Sequence, residues 1–156
     1  MKKLVLAATH LGAALAGFAA GIYLLPILIA PEAPDITAIE SAQTSGPRFE
    51  ARFDRDREDS DLFHWGEGVI KIFDDVIVFE GEMAPGPDYR LYLTPEYVET
   101  EDAFWQIKDQ STQVGLINTF DGFVLENLST LDNAEFSSVV VWCERFSQFI
   151  TSAKFR

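Results

Sequence analysis

The chain has 156 residues, room for one ordinary domain plus an extra segment, and a formal charge of −13 from 25 acidic and 12 basic side chains. All the acids follow Pro31, while Lys2 and Lys3 are the only charges before it. An exported part so acidic repels nucleic-acid phosphates and anionic lipid heads, so no nucleic-acid role is expected.

Residues 4–30 are apolar almost throughout, with Thr9 and His10 the markedly polar exceptions. A cleaved secretory signal has a shorter apolar core, and the best cleavage position, after Ala30, carries the bulky Leu28 two residues earlier. About 20 apolar residues cross a bilayer, so residues 1–30 read as an uncleaved transmembrane anchor, with Pro26 near its far end. Lys2 and Lys3 set the orientation: they stay inside, which places the rest outside the cytoplasm, periplasmic or beyond the cell. Gly12, Ala16 and Ala20, and Gly17 with Gly21, recur at four-residue spacing, which predicts at most a weak homodimer through the anchor. His10 lies near the inner interface, where a histidine is inexpensive.

Residues 31–47 hold prolines and small polar residues and read as a linker. A domain of residues 48–156 follows. Runs at 69–73 and 76–79 predict two strands with a hairpin at Asp74-Asp75, and 89–93 predicts another after the turn-rich GEMAPGPD. Thr100 is a helix cap, with Glu101 and Asp102 in the first turn of a short helix towards Lys108. Further strands are expected at 114–117, 123–128, 139–143 and 146–151. The fold class is therefore all-β, a small antiparallel sandwich or barrel with one short helix, preceded by a single transmembrane helix.

Chemistry centres on the lone Cys143, which cannot form an intrachain disulfide. It reads as a buried structural thiol beside Val139 and Val141, as a thiolate ligand, or as a reactive thiol; Arg145 would continue the same strand face. His64 is the sole histidine beyond the anchor and a weak metal-ligand candidate, an axial haem ligand if the fold brings it to Cys143. Covalent c-type haem is excluded, since no Cys-x-x-Cys-His is present. The acidic stretch DRDREDSD, residues 54–61, lacks the glycine and glutamate of a calcium loop, and its interleaved Arg55 and Arg57 favour self-neutralisation. No nucleophile-elbow, zinc-protease or phosphate-loop motif occurs, so an enzyme is not expected.

Gly86-Pro87-Asp88 leading into YRLYL, together with VVVWCERF and the sequence to Phe155, resembles the DM-thirteen domain, often found beside DOMON domains. The resemblance covers roughly residues 66–155. It implies a β-rich fold and an electron-transfer role with Cys143 as the redox residue and Gly86, Pro87 and Asp88 as a structural turn; Trp142 and Arg145, its neighbours in the chain, are supporting candidates. A thiol by itself is a poor one-electron carrier, so the role calls for a cofactor or a redox partner protein. The alternative is a non-catalytic binding or assembly module whose cysteine is packed in the core.

Overall fold

The structure is a computed structural model that describes residues 1–43, 45–126 and 136–156. Helix α1 (Lys2–Ile29) is long and apolar enough to cross a membrane. A second helix, α2 (Ile36–Ala42), falls inside the stretch read as a linker. Asp35 caps it by accepting from the Ala38 N–H at 3.0 Å. Ile36 and Ile39, three apart and so on one face, pack with Phe73, Val76 and Val78. Glu40 pairs with Lys71 at 2.8 Å. The segment is thus docked on the domain because the outer face of the underlying sheet is itself apolar.

Two four-stranded antiparallel sheets form the sandwich. The first runs in the order β1 (Phe49–Phe53), β2 (Gly66–Ile72), β3 (Val76–Met83), β6 (Phe123–Glu126). The second is ordered β5 (Thr112–Ile117), β4 (Tyr89–Thr94), β7 (Ser138–Cys143), β8 (Gln148–Lys154). The hairpin at Asp74-Asp75 joins β2 to β3 as the sequence predicts. β1 has no counterpart among the expected strands, because its alternating FEARF is too short and too charged to stand out. Residues 127–128 of the expected strand at 123–128 lie outside the described residues. Phe146 belongs to the turn before β8, not to the strand.

Side chains from both sheets fill the interior: Phe53, Ile70 and Phe79 from one, Leu91, Val141 and Ile150 from the other, all fully buried. Alternation along β7 explains its uniformly apolar sequence. Val139, Val141 and Cys143 enter this interior, whereas Val140 and Trp142 face the other way into a second cluster. That cluster lies under α3 (Glu101–Ile107), whose Phe104 and Ile107 cover the sheet. As expected, the Thr100 hydroxyl caps α3 by accepting from the Ala103 N–H. Both faces of β7 are therefore covered, one by the opposite sheet and one by a helix.

One cross-strand pair fixes how closely β2 and β3 approach. Gly68 faces Gly81, and a Cβ on Gly68 would lie 2.4 Å from the Glu80 carbonyl oxygen and 2.9 Å from the Phe79 ring. Gly68 also sits at φ 147, which favours glycine. The Phe79 ring occupies the space that two side chains would otherwise need.

Candidate functional site

Cys143 ends β7 at one end of the sandwich, where three connections meet. The β7–β8 turn follows it directly, with Ser147 in the left-handed region at φ 53. The β3–β4 connection is tied to that turn, since the Glu144 N–H donates to the Asp88 carbonyl at 2.9 Å. It is also tied to the third, because the Ala84 N–H donates to the Trp65 carbonyl at 2.9 Å. The third connection carries His64. Asp61 fixes it by accepting from the backbone N–H groups of Phe63 and His64 at 2.7 and 2.8 Å.

These loops enclose a pocket of about 330 Å³ against α1. His64, Tyr89 and Cys143 all line it. The spacing between His64 and Cys143 in the chain gives no hint of this meeting; the β3–β4 connection and the 61–65 loop bring it about. Phe63, Phe146 and, from α1, Tyr23 supply aromatic wall, and Phe63 meets Tyr23 edge-on at 6.0 Å. A larger apolar cleft of about 980 Å³ adjoins the pocket, with Ile22, Gly86, Pro87 and Phe146 lining both.

Cys143 is 2% exposed, and burial pushes its thiol up from the ordinary 9.0. Backbone N–H groups of Phe146, Arg145 and Asp88 pull the other way without overcoming burial. The thiol is therefore neutral near pH 7, which makes it a weak nucleophile. Tyr89 is equally buried, and burial next to Cys143, Tyr23 and Asp61 raises its hydroxyl well above the usual tyrosine range. Its hydroxyl makes no hydrogen bond among the described residues. The carboxylate of Asp61 is pushed up by burial, but hydrogen bonds from His64 and the Phe63 N–H outweigh this and hold it below its ordinary value. His64 Nδ1 lies 2.9 Å from that carboxylate, a contact that in the neutral ring places the proton on Nδ1 and leaves Nε2 as an acceptor.

Gly86, Pro87 and Asp88 form one wall of the site. A Cβ on Gly86 would lie 2.2–2.4 Å from the end of the Tyr89 ring, so glycine is required for space there. Asp88 pairs with Arg90 at 2.8 Å. The other two expected neighbours of the cysteine sit elsewhere. Trp142 points away from the pocket, into the cluster beneath α3, with its ring 4.9 Å from Phe104 and 5.4 Å from Trp105. Arg145 does not continue the strand face, because β7 ends at Cys143; its side chain is exposed and borders the larger cleft. Only its backbone N–H acts on the thiol.

On the α3 side, Lys108 pairs with Glu144 at 2.8 Å, and Glu144 accepts a short hydrogen bond from Tyr92. Lys108 also lies over the rings of Trp105 and Trp142 at 4.9 and 5.3 Å. The charged side chains of the acidic stretch at 54–61 find their partners outside it rather than in one another. Arg55 stacks 3.4 Å over Trp65, Arg57 reaches Glu99 at 3.0 Å, and Asp59 accepts from the Glu101 N–H. Among the described residues no group of three or more His, Cys, Asp or Glu side chains could hold a metal ion.

At about 330 Å³ the pocket beside Cys143 lies at the small end for ligand cavities. The walls accommodate a single or fused ring better than a macrocycle.

No curated protein and no solved structure matches the chain. The family model for the electron transfer DM13 domain matches residues 56–155, from the acidic stretch to the last strand. With most of its length matched, including the Gly86 turn and the cysteine-bearing β7, the chain belongs to the electron transfer DM13 family.

Proposed function

We propose that the chain is a membrane-anchored, extracytoplasmic electron-transfer accessory, with α1 as its anchor and the Cys143 pocket as its working site. The observation that carries this is the convergence of the only cysteine with His64 and Tyr89 on one pocket, in a domain of an electron-transfer family. A lone neutral thiol does not pass single electrons efficiently, so the electrons travel on a second molecule seated against it. In this reading His64 and Asp61 handle the proton that accompanies the electron, with Nε2 as acceptor and the carboxylate holding the ring orientation. The apolar walls exclude water.

Orientation follows from Lys2 and Lys3, which hold the N-terminus inside. A protease-protection assay on sealed vesicles tests it. The sandwich should be cleaved only from the face opposite the cytoplasm, and cleavage from the cytoplasmic face refutes the topology.

Burial of Cys143 favours a second reading, a binding or assembly module with a structural cysteine. Cys143→Ser separates the two. It is close to isosteric, so a functional loss with unchanged melting supports the redox reading, and full retained function supports the structural one.

A further inference from the structure

The Cys143 pocket holds an uncommon set of groups for a site with such greasy walls. The Tyr89 hydroxyl sits on a side chain only 2% exposed and has no hydrogen-bond partner among the described residues. The oxygen itself is not sealed in the core but opens onto a cavity large enough for a ring. Across from it stands His64, with Nδ1 committed to Asp61 and Nε2 without that partner. One donor and one acceptor thus stand ready in an aromatic pocket.

The charge of the site narrows the ligand. A phosphate or carboxylate head seated in the pocket would find no lysine or arginine among its lining residues, since Arg145 lines only the outer cleft. A neutral planar head with carbonyl or hydroxyl groups suits Tyr89 and His64 instead. The adjoining cleft of about 980 Å³ supplies room for an apolar tail along Gly17, Phe18 and Gly21 of α1, on the membrane side of Tyr23.

The height of the opening agrees. From Leu4 to Tyr23 the helix rises about 28 Å at 1.5 Å per residue, close to the roughly 30 Å of hydrocarbon in a bilayer. Tyr23, a typical interfacial residue, touches Phe63 at the mouth of the pocket. With α1 in the membrane, Leu62, Phe63 and Phe146, each more than half exposed, lie at the lipid boundary.

We infer that the cleft between α1 and the sandwich binds a membrane-soluble quinone, its ring against Tyr89, His64 and Cys143 and its tail along α1. Tyr89 donates to a ring carbonyl of the quinone, and His64 Nε2 accepts from a ring hydroxyl of the quinol. The inference rests on the reading of α1 as an anchor and names the ligand of the proposed electron-transfer site.

The test uses the full chain in phospholipid nanodiscs with a decyl-substituted benzoquinone as probe, followed by calorimetry. Saturable binding is expected despite the excess of phospholipid. Tyr89→Phe should weaken it about five- to tenfold through one lost hydrogen bond. Ala19→Phe, which fills the ring pocket from α1 without touching the sandwich core, should weaken it more. Decyl alcohol, a tail without a ring, should not compete. The absence of saturable binding, binding unchanged by both variants, or competition by decyl alcohol would each overturn the inference. A chain that loses function on Cys143→Ser yet binds no quinone keeps the electron-transfer role and loses this ligand. Conversely, a chain that binds quinone and tolerates Cys143→Ser keeps the ligand and loses the redox cysteine.

Discussion

Replacing Gly86 by alanine tests how the Gly-Pro-Asp turn shapes the site. The new methyl carbon would stand 2.2 Å from Cε1, 2.3 Å from Cζ and 2.4 Å from the hydroxyl oxygen of Tyr89. Carbon contacts relax only at about 3.5–4.0 Å, so the ring must withdraw by more than about 1 Å. Its hydroxyl end borders the pocket, but the rest of the ring is held in the sandwich interior with Phe120 edge-on at 6.0 Å, so moving it disturbs packed neighbours. Overpacking of this kind costs about 1–3 kcal/mol. Because Gly86 is outside the left-handed region, alanine also gains about 0.4–1 kcal/mol by restricting the unfolded chain. The net expectation is a loss of about 1–2 kcal/mol, or about 4–16 °C in melting temperature for a domain near this size. Near-ultraviolet circular dichroism of the full chain in detergent reports the melt through its aromatic core. In a Tyr89→Leu background the same alanine should cost almost nothing, because the clashing ring tip is gone. A Gly86→Ala melt indistinguishable from the parent, or an equal penalty in both backgrounds, refutes the reasoning.

Gly81→Ala should destabilise by about 2–4 kcal/mol in chemical denaturation, since its methyl would meet the Glu67 carbonyl oxygen at 2.2 Å and Phe79 at 2.8 Å, with no flexible group to yield. Lys108→Met leaves Glu144 half-buried without its cation, and a loss of about 1–2 kcal/mol at pH 7 is expected from urea melts. Burial raises the Glu144 carboxyl, but Lys108 and Tyr92 outweigh it and hold the group below its ordinary 4.5. That contribution is present above the unfolded value and disappears as pH falls through the folded one, so parent and variant should converge in acid. Cys143 behaves in the opposite sense. Its raised thiol contributes stability below its ordinary 9.0 that is lost as pH climbs through the higher folded value, and Cys143→Ser should flatten the alkaline fall in melting temperature. Iodoacetamide labelling of native protein near pH 7 should be far slower than labelling in denaturant.

The domain's class was legible in the chain because its strands are strongly patterned. The runs at 69–73, 76–79, 89–93 and 139–143 appear as β2, β3, β4 and β7, and Thr100 caps α3 as its sequence context requires. The segment at 31–47 was harder to read. Ile36 and Ile39 are too few to announce a helix, and only the outward-facing apolar side chains of Val76 and Val78 give them something to cover. β1 was missed for the same reason, a short alternating segment that gains its meaning from pairing with β2.

The site divides in the same way. Cys143 and the Gly86 turn stand out in sequence, the one by its solitude and the other by its resemblance to the family. Placing Trp142 beside the cysteine is natural in one dimension, yet neighbours on a strand face opposite ways, and Trp142 belongs to the α3 cluster. Arg145 was expected to extend a strand that ends two residues earlier. His64 shares a pocket with Cys143 only because backbone hydrogen bonds between three loops draw distant segments to one end of the sandwich, and Tyr89 joins them as the cross-strand partner of Cys143 on β4. Sequence by itself determined the strands, the apolar helix and the acidity, since these are written in local hydrophobic period and charge. Which side chains share a pocket was decided by the tertiary structure alone, because convergence depends on how sheets stack and loops tie together, and no local pattern encodes it.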